Sequence, residues 1–317
     1  MVIDTIKKSI GPAAKNWQIV LIHFVLLFFY AFGFIILVAI PFAVIFAGSM
    51  DLNMQNISDP INAFGNIENL LVQNLAGLAV AILALLLYLT IVSSVALYIF
   101  GATMGTLEKA VRKKNYRFGF SSFISEGNRF FGRILWLTFL LGLMLIALMI
   151  CISIMAGIGS VFILPLLSSE SGTVYFIGIF ISLLMASVAL AGFTLLAVAG
   201  AFSLVALVVD DIKAIAAFKK SLAFIQRKPS SILFLLAVTG IYLLAACSVM
   251  LITIPLGIIP LIGPLLSIPV SFVCNRFLGL VMITALIYFY TSSNRPFSNE
   301  LAGDFTDDFA DKLTDVN

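Results

Sequence analysis

The chain has 317 residues, 62% of them hydrophobic and only 10% charged, with a mean hydropathy of +1.17 and a formal net charge of +3. Soluble domains carry about 25% charged residues and no repeated apolar runs of about 20 or more. That excludes a soluble enzyme or carrier and leaves an all-α, polytopic integral membrane protein. The net charge hides an asymmetry, because the segments linking alternate apolar runs are basic and the tail is acidic.

In chain order, the N-terminal stretch places Ile3, Ile6 and Ile10 on one helical face, with Lys7, Lys8 and Lys15 largely elsewhere. Span one is expected from Trp17 to Phe46, bent or ended by Pro41. A polar loop, 47–69, holds Asp51, Asp59 and Glu68 and no Lys or Arg. Span two runs from Leu70 to Met104 and continues as helix into a basic stretch with Arg112, Lys113 and Lys114. Phe120, Phe123 and Phe130 are roughly in line, which predicts a second interfacial helix before span three at Phe131–Leu164. Span four is expected at Val174–Val209, span five at Ile232–Ile254 and span six at Leu265–Thr291. Between the last two, Pro255, Pro260 and Pro264 break an apolar stretch that is either a tight external turn, the favoured reading, or a shallow re-entrant loop. Irregular backbone exposed in hydrocarbon is not tolerated, so the second version requires burial in protein.

Lys and Arg fill the N-terminus, 105–133 and 210–230, and are missing from the three alternate loops. The positive-inside rule therefore predicts six spans in the cell membrane with both termini cytoplasmic. No cleavable leader is expected, since the first apolar run is long and has no small-residue cleavage site after it. The tail, 292–317, reads as disordered, with a short amphipathic Asp/Phe helix as the alternative. Cys151, Cys247 and Cys274 all lie in apolar runs and read as small hydrophobes rather than disulfide or metal ligands.

The least apolar internal stretch is 210–230. On a helix, Ile215, Phe218, Leu222 and Ile225 fall on one side and Lys213, Lys220 and Arg227 on the other, with Phe224 breaking the pattern toward the basic side. Such a helix suits the face of an anionic bilayer. Asp210 and Asp211 stand where a helix N-terminus favours negative charge, and Pro229 stops the helix. Set over this stretch, Phe120 matches Phe218, Arg129 matches Arg227 and Gly142 matches Gly240. Lys7-Lys8-Ser9 likewise echoes Lys219-Lys220-Ser221. Three units follow, 1–104, 105–209 and 210–291, each a cytosolic amphipathic helix and a two-span hairpin. Repeats in membrane proteins often frame a central site.

The acidic residue, the core Ala216-Ala217-Phe218-Lys219-Lys220-Ser221, the basic position after it and the new span resemble a pattern in prokaryotic six-span membrane proteins. These are related to the membrane domain found beside some glycerophosphodiester phosphodiesterases. The resemblance implies the six-span layout and no catalytic residues, and no phosphodiesterase catalytic domain is legible here.

No paired carboxylates, HExxH, P-loop or nucleophile elbow is present, so no catalytic or metal residue and no cofactor is assigned. His23, inside span one, reads as a packing residue. Gly101 and Gly105 read as a packing or kink site. The small-residue run Ala186–Ser203 marks span four as the crowded centre of the bundle. Arg276, beside Asn275 in span six, is the sharpest feature. A cation in a span costs upward of about 2.5 kcal/mol and usually faces protein or water. Counted from the external turn it falls near mid-depth. It either meets an anion or lipid phosphate in a cavity, or has a structural role. Lys213, Lys219, Lys220, Arg227, Arg112, Lys113 and Lys114 are the expected contacts to anionic lipid headgroups, each worth about 1 kcal/mol near the surface. Topology alone explains these charges, so nucleic acid is not an expected partner.

The leading expectation is a non-enzymatic protein that binds or organises lipids in the envelope. Two alternatives stand beside it. One is a small-solute or anion transporter or channel with Arg276 lining the path, the other a permease-like subunit that docks a cytosolic partner.

Overall fold

The computed structural model describes residues 2–47, 75–113, 116–167, 172–257 and 262–294. The described residues are helical nearly throughout: α1 (Val2–Lys15), α2 (Gln18–Phe34), a π-helical turn (Ile35–Ala39), α3 (Ile40–Ala47), α4 (Leu75–Arg112), α5 (Phe120–Leu167), α6 (Gly172–Val209), α7 (Ala214–Arg227), α8 (Ser230–Gly257) and α9 (Ile262–Asn294). Six stretches are long and apolar enough to cross a membrane, α2 with its continuation and then α4, α5, α6, α8 and α9. This is a six-span membrane helical bundle. The loop expected at 47–69, Lys114 and the tail beyond Asn294 lie outside the described residues.

Pro41 neither ends nor breaks span one. Its ring displaces the carbonyl of residue 37 and its nitrogen donates nothing. The π turn absorbs the mismatch immediately before it, with the Ile40 N–H bonded to Ile35 O. Helix occupies both flanks of the proline-rich turn, to Gly257 and from Ile262, and α8 packs along α9. The stretch between them, 258–261, lies outside the described residues. Span six extends further than expected, to Asn294, where Ser293 accepts a hydrogen bond from Lys228 at 2.7 Å.

The second interfacial helix is not a separate element. Phe120–Arg133 is the first part of the 48-residue α5. At about 1.5 Å per residue that helix is about 72 Å long, more than twice a hydrocarbon core of about 30 Å. The reason is local. Pro229 halts α7, whereas the position aligned with it in α5 is Phe131, which lets the helix run on.

Burial is concentrated at one end. Met104, Leu107, Phe123, Phe130, Leu137, Phe202, Leu207, Phe224, Ile287 and Tyr290 belong to one core at the end that carries α1 and α7. The opposite halves of the long helices are largely exposed. In α6 the buried part is Val198–Val209, so the crowded centre takes in only the last third of the small-residue run. Aromatic rings tie the helices together: Phe224 meets Phe202 at 5.1 Å and Tyr290 at 5.1 Å, and Phe234 stacks on Phe289 at 3.9 Å. In α4, a Cβ at Gly105 would stand 2.7 Å from Glu126 Oε2. In α5, one at Gly127 would stand 2.6 Å from the Tyr98 ring. These glycines let α4 and α5 touch, as the packing reading of Gly101 and Gly105 expected.

α7 does not present the expected face to a bilayer. Its buried residues are Ala214, Ala217, Ser221, Phe224 and Ile225, while Ile215 is 49% exposed. The small residues draw the helix onto α6, Ser221 bonding Ser203 at 2.8 Å and Ala199 O at 3.1 Å, and Phe224 fills the gap they leave. α1 behaves alike on α9, burying Ser9 and Ala13 and leaving Ile3 and Ile10 outside. Both helices span 14 residues.

Two predictions follow from this packing. Phe224→Ala should cost about 3 kcal/mol by leaving a cavity, and Ile215→Ala under about 0.5 kcal/mol, in thermal unfolding of the detergent-solubilised protein. Gly127→Ala should destabilise by about 1–3 kcal/mol through overpacking. Gly142→Ala, where nothing lies within 4 Å of the new Cβ, should instead stabilise the helix by up to about 1 kcal/mol.

Candidate functional site

A cleft of about 1000 Å³ opens between α2, α4, α8 and α9. α9 contributes one helical face, from Ser267 through Ser271, Asn275, Arg276 and Gly279 to Ile283. Sixteen residue-to-residue steps at about 1.5 Å each make this face about 24 Å long. Its rim includes exposed apolar residues, Leu243, Ile254 and Ile268, so the cleft opens on the lipid-facing surface.

Arg276 is exposed within it, its guanidinium carbon 5.0 Å from the centre of the Phe272 ring. Among the described residues no carboxylate pairs with it. Asn275 donates from Nδ2 to Ser271 Oγ at 3.4 Å, and its Oδ1 is buried with no partner. Thr103, 2% exposed, lines the same cleft with an unpartnered Oγ1. His23 Nδ1 donates to Ile19 O at 2.8 Å. A carbonyl only accepts, so Nδ1 carries a proton. The sequence marked Arg276 and Asn275 but took His23 only for packing. Its partners in the cleft come from other helices, which spacing along the chain does not reveal.

The position of Arg276 along its span can be counted against Trp17. The Phe24 ring meets the Phe272 ring at 5.9 Å. Phe24 is seven residues beyond Trp17, and Arg276 is one turn back from Phe272 toward the basic end. At about 1.5 Å per residue, Arg276 lies about 5 Å inward of Trp17 and about 21 Å from the start of α9.

The basic segments converge at one end. Asp210 and Asp211 do not begin α7, whose N-cap is Lys213; they form the turn after α6. Asp211 has φ 54, a left-handed conformation that Asp tolerates and that turns the chain off the helix. Asp211 binds Arg129 at 2.6 Å and Arg133 at 2.5 Å, both from α5. Asp210 binds Lys220 of α7 at 3.0 Å and accepts from Tyr290 of α9 at 2.6 Å. Glu126, 4% exposed, pairs with Lys109 at 2.7 Å and Arg129 at 3.6 Å.

The expected headgroup cations therefore divide. Lys220 is engaged by Asp210, and Arg112 by Glu108 and the Val209 carbonyl. Lys213, Lys219, Arg227 and Lys113 are exposed. The cysteines are unpaired, and Cys151 and Cys247 are exposed on the apolar surface. No three of His, Cys, Asp or Glu come together as metal ligands among the described residues. No family model, curated protein or solved structure matches the chain.

The Arg129 hydrogen bond, with Arg133 beside it, holds the Asp211 carboxyl below its ordinary range. A depressed folded-state pKa gives stability that is complete above the unfolded value of about 3.9 and is lost as pH falls through the folded value. Asp211→Asn should therefore melt lower than the parent by a constant margin from pH 5 to 7, in detergent, with the margin closing below about pH 4.

Proposed function

We propose that this is a non-enzymatic membrane protein that binds phospholipid through the Arg276 cleft, in the service of lipid or envelope organisation. One observation carries the reading: the cleft joins a guanidinium with no carboxylate partner among the described residues, about 5 Å below the Trp17 level, to a slot with an apolar rim that opens on the lipid-facing surface. Near the interface a guanidinium reaches a lipid phosphate and satisfies its charge-assisted hydrogen bonds. The slot then takes the acyl chain, and Thr103 and Asn275 offer buried polar atoms beside the headgroup. On this reading the basic end is cytosolic, both termini face the cytoplasm, and α1 and α7 lie beneath the leaflet that supplies the lipid.

The same reading treats α1–α2 and α7–α8 as copies. α1 and α7 start and stop 212 positions apart, α2 and α8 begin at that same offset, and Ser9 and Ser221 are buried at corresponding places. With the start of α5 as the third, fused surface segment, the three hairpins form the architecture inferred from the repeat.

One observation favours transport as the second reading. Beyond Arg276 the lining remains polar at Ser271, Ser267 and Thr253, toward the far end of the bundle.

Native mass spectrometry of the gently solubilised protein separates these readings. The parent should retain a defined phospholipid that Arg276→Ala releases at least about tenfold more readily, the equivalent of one charge-assisted contact of about 1.4 kcal/mol. Equal adducts on both proteins, or none on the parent, would overturn lipid binding through Arg276. Solute flux in proteoliposomes that Arg276→Ala abolishes would establish transport instead.

A further inference from the structure

A second, smaller groove of about 480 Å³ lies at the basic end, between α5 and the start of α7. Its lining joins Gly132, Arg133 and Trp136 of α5 to Lys213, Ile215 and Lys219 of α7. We propose that this groove binds the headgroup of an anionic phospholipid, at a site separate from the Arg276 cleft.

The charge balance is the first argument. In the adjoining ion cluster, Lys109, Arg112, Arg129 and Arg133 stand against Glu108, Glu126 and Asp211, which leaves one positive charge over. Lys213 and Lys219 add two more, both exposed and without a carboxylate in ion-pair reach among the described residues. Arg133 holds Asp211 through one nitrogen, Nη1, so its remaining donors are available to a phosphate oxygen. Three cationic side chains around one cavity favour a headgroup whose phosphodiester, with its two non-bridging oxygens, carries a net negative charge over one that adds a quaternary ammonium of its own.

The second argument selects the source of the phosphate. Trp136 is 53% exposed and stacked on Phe139 at 5.6 Å, and Ile215 is 49% exposed at the same groove. An indole beside lysines is the composition of a membrane–water boundary. The exposed apolar run Leu135, Trp136 and Phe139 leads from the cations straight onto the lipid-facing flank of α5. A free phosphate ion has no use for that flank, whereas the glycerol and acyl chains of a phospholipid lie along it. The first turn of α7 (Ala214, Ile215 and Ala216) also lines the groove, and its amide N–H groups lack intrahelical acceptors, an addition to the side-chain argument rather than its basis.

The groove further accounts for an anomaly. Ile215 is the outward apolar residue on a helix that otherwise turns its apolar face to protein, and Lys213 and Lys219 flank it. A lipid seated there covers Ile215 and answers both lysines at once.

The chain has two tryptophans. Full-length protein with Trp17→Phe therefore reports Trp136 alone. In nanodiscs of phosphatidylcholine doped with a brominated lipid, brominated phosphatidylglycerol should quench Trp136 at least about threefold more efficiently than brominated phosphatidylcholine. Lys213→Gln combined with Lys219→Gln should erase that preference. Arg276→Ala should leave it intact, which keeps failure of this site distinct from failure of the cleft. Equal quenching by the two lipids, or a preference that survives loss of both lysines, would overturn the proposal. Inorganic phosphate at millimolar concentration should not remove the preference; its doing so would make the site one for free anion and overturn the lipid assignment. As a measurement independent of the Trp17 substitution, native mass spectrometry of the parent should show a phosphatidylglycerol adduct that the double lysine variant loses and the Arg276 variant keeps. Retention of that adduct by the double lysine variant would equally count against the groove.

Discussion

The turn at Asp210 and Asp211 is the joint on which the basic end depends. Two carboxylates directly after a helix stand against the negative end of its dipole and beside carbonyls that have no intrahelical donor. Left alone, they would fray α6. Instead Arg129 and Arg133 reach Asp211 from α5, Lys220 and Tyr290 reach Asp210 from α7 and α9, and Arg112 of α4 takes the Val209 carbonyl. Five helices are thereby indexed to one two-residue turn. The left-handed backbone at Asp211 is what allows adjacent carboxylates to serve different sets of partners.

That arrangement explains why the core sits at one end. Within hydrocarbon there is no hydrophobic gain in pressing Leu against Leu, because a lipid tail is as apolar as the side chain it replaces. Helices there associate through close packing and polar bonds. The close approaches at Gly105 and Gly127 fall at the end that carries α1, α7 and the ion pairs, and so does the Ser203–Ser221 bond. Toward the opposite end the long helices expose Leu, Ile and Phe on most sides, and bilayer rather than protein is the natural neighbour of those surfaces.

The spans were legible in the sequence because long apolar runs and basic segments each carry an unambiguous transfer cost. The faces of the short helices were not. Reading α7 by its largest apolar residues set Ile215 on a bilayer-facing stripe and Phe224 astray, whereas tertiary contact selects small residues first. Ala214, Ala217 and Ser221 admit α6, and Phe224 then occupies the depth they create. α1 repeats the lesson with Ser9 and Ala13. Of the candidate sites, Arg276 announced itself as a charge among apolar neighbours. Thr103 and Trp136 could not, since what matters about them is the helix they face. Nor does spacing disclose that Lys220 is engaged by Asp210 while Lys219, one position away, is exposed: adjacent helical positions point about 100° apart, and only packing decides which direction meets an acid.

The two lipid-facing sites differ in a way that bears on what each would select. The cleft offers one guanidinium and a face about 24 Å long, so most of its contact is with chain rather than headgroup. The groove offers several cations and a short apolar border, so its contact is with charge. A surface cation is screened over about 8 Å at physiological salt, and a site built from lysines at the boundary is therefore graded by the anionic content of the leaflet. Arg276, set inward of the Trp17 level, would hold a ligand more by the geometry of the cleft. On the proposed reading, the groove would respond to the composition of the leaflet and the cleft would hold a single lipid. α9 links the two, carrying Arg276 within its span and Tyr290 on Asp210, one residue from the Asp211 that Arg133 of the groove engages.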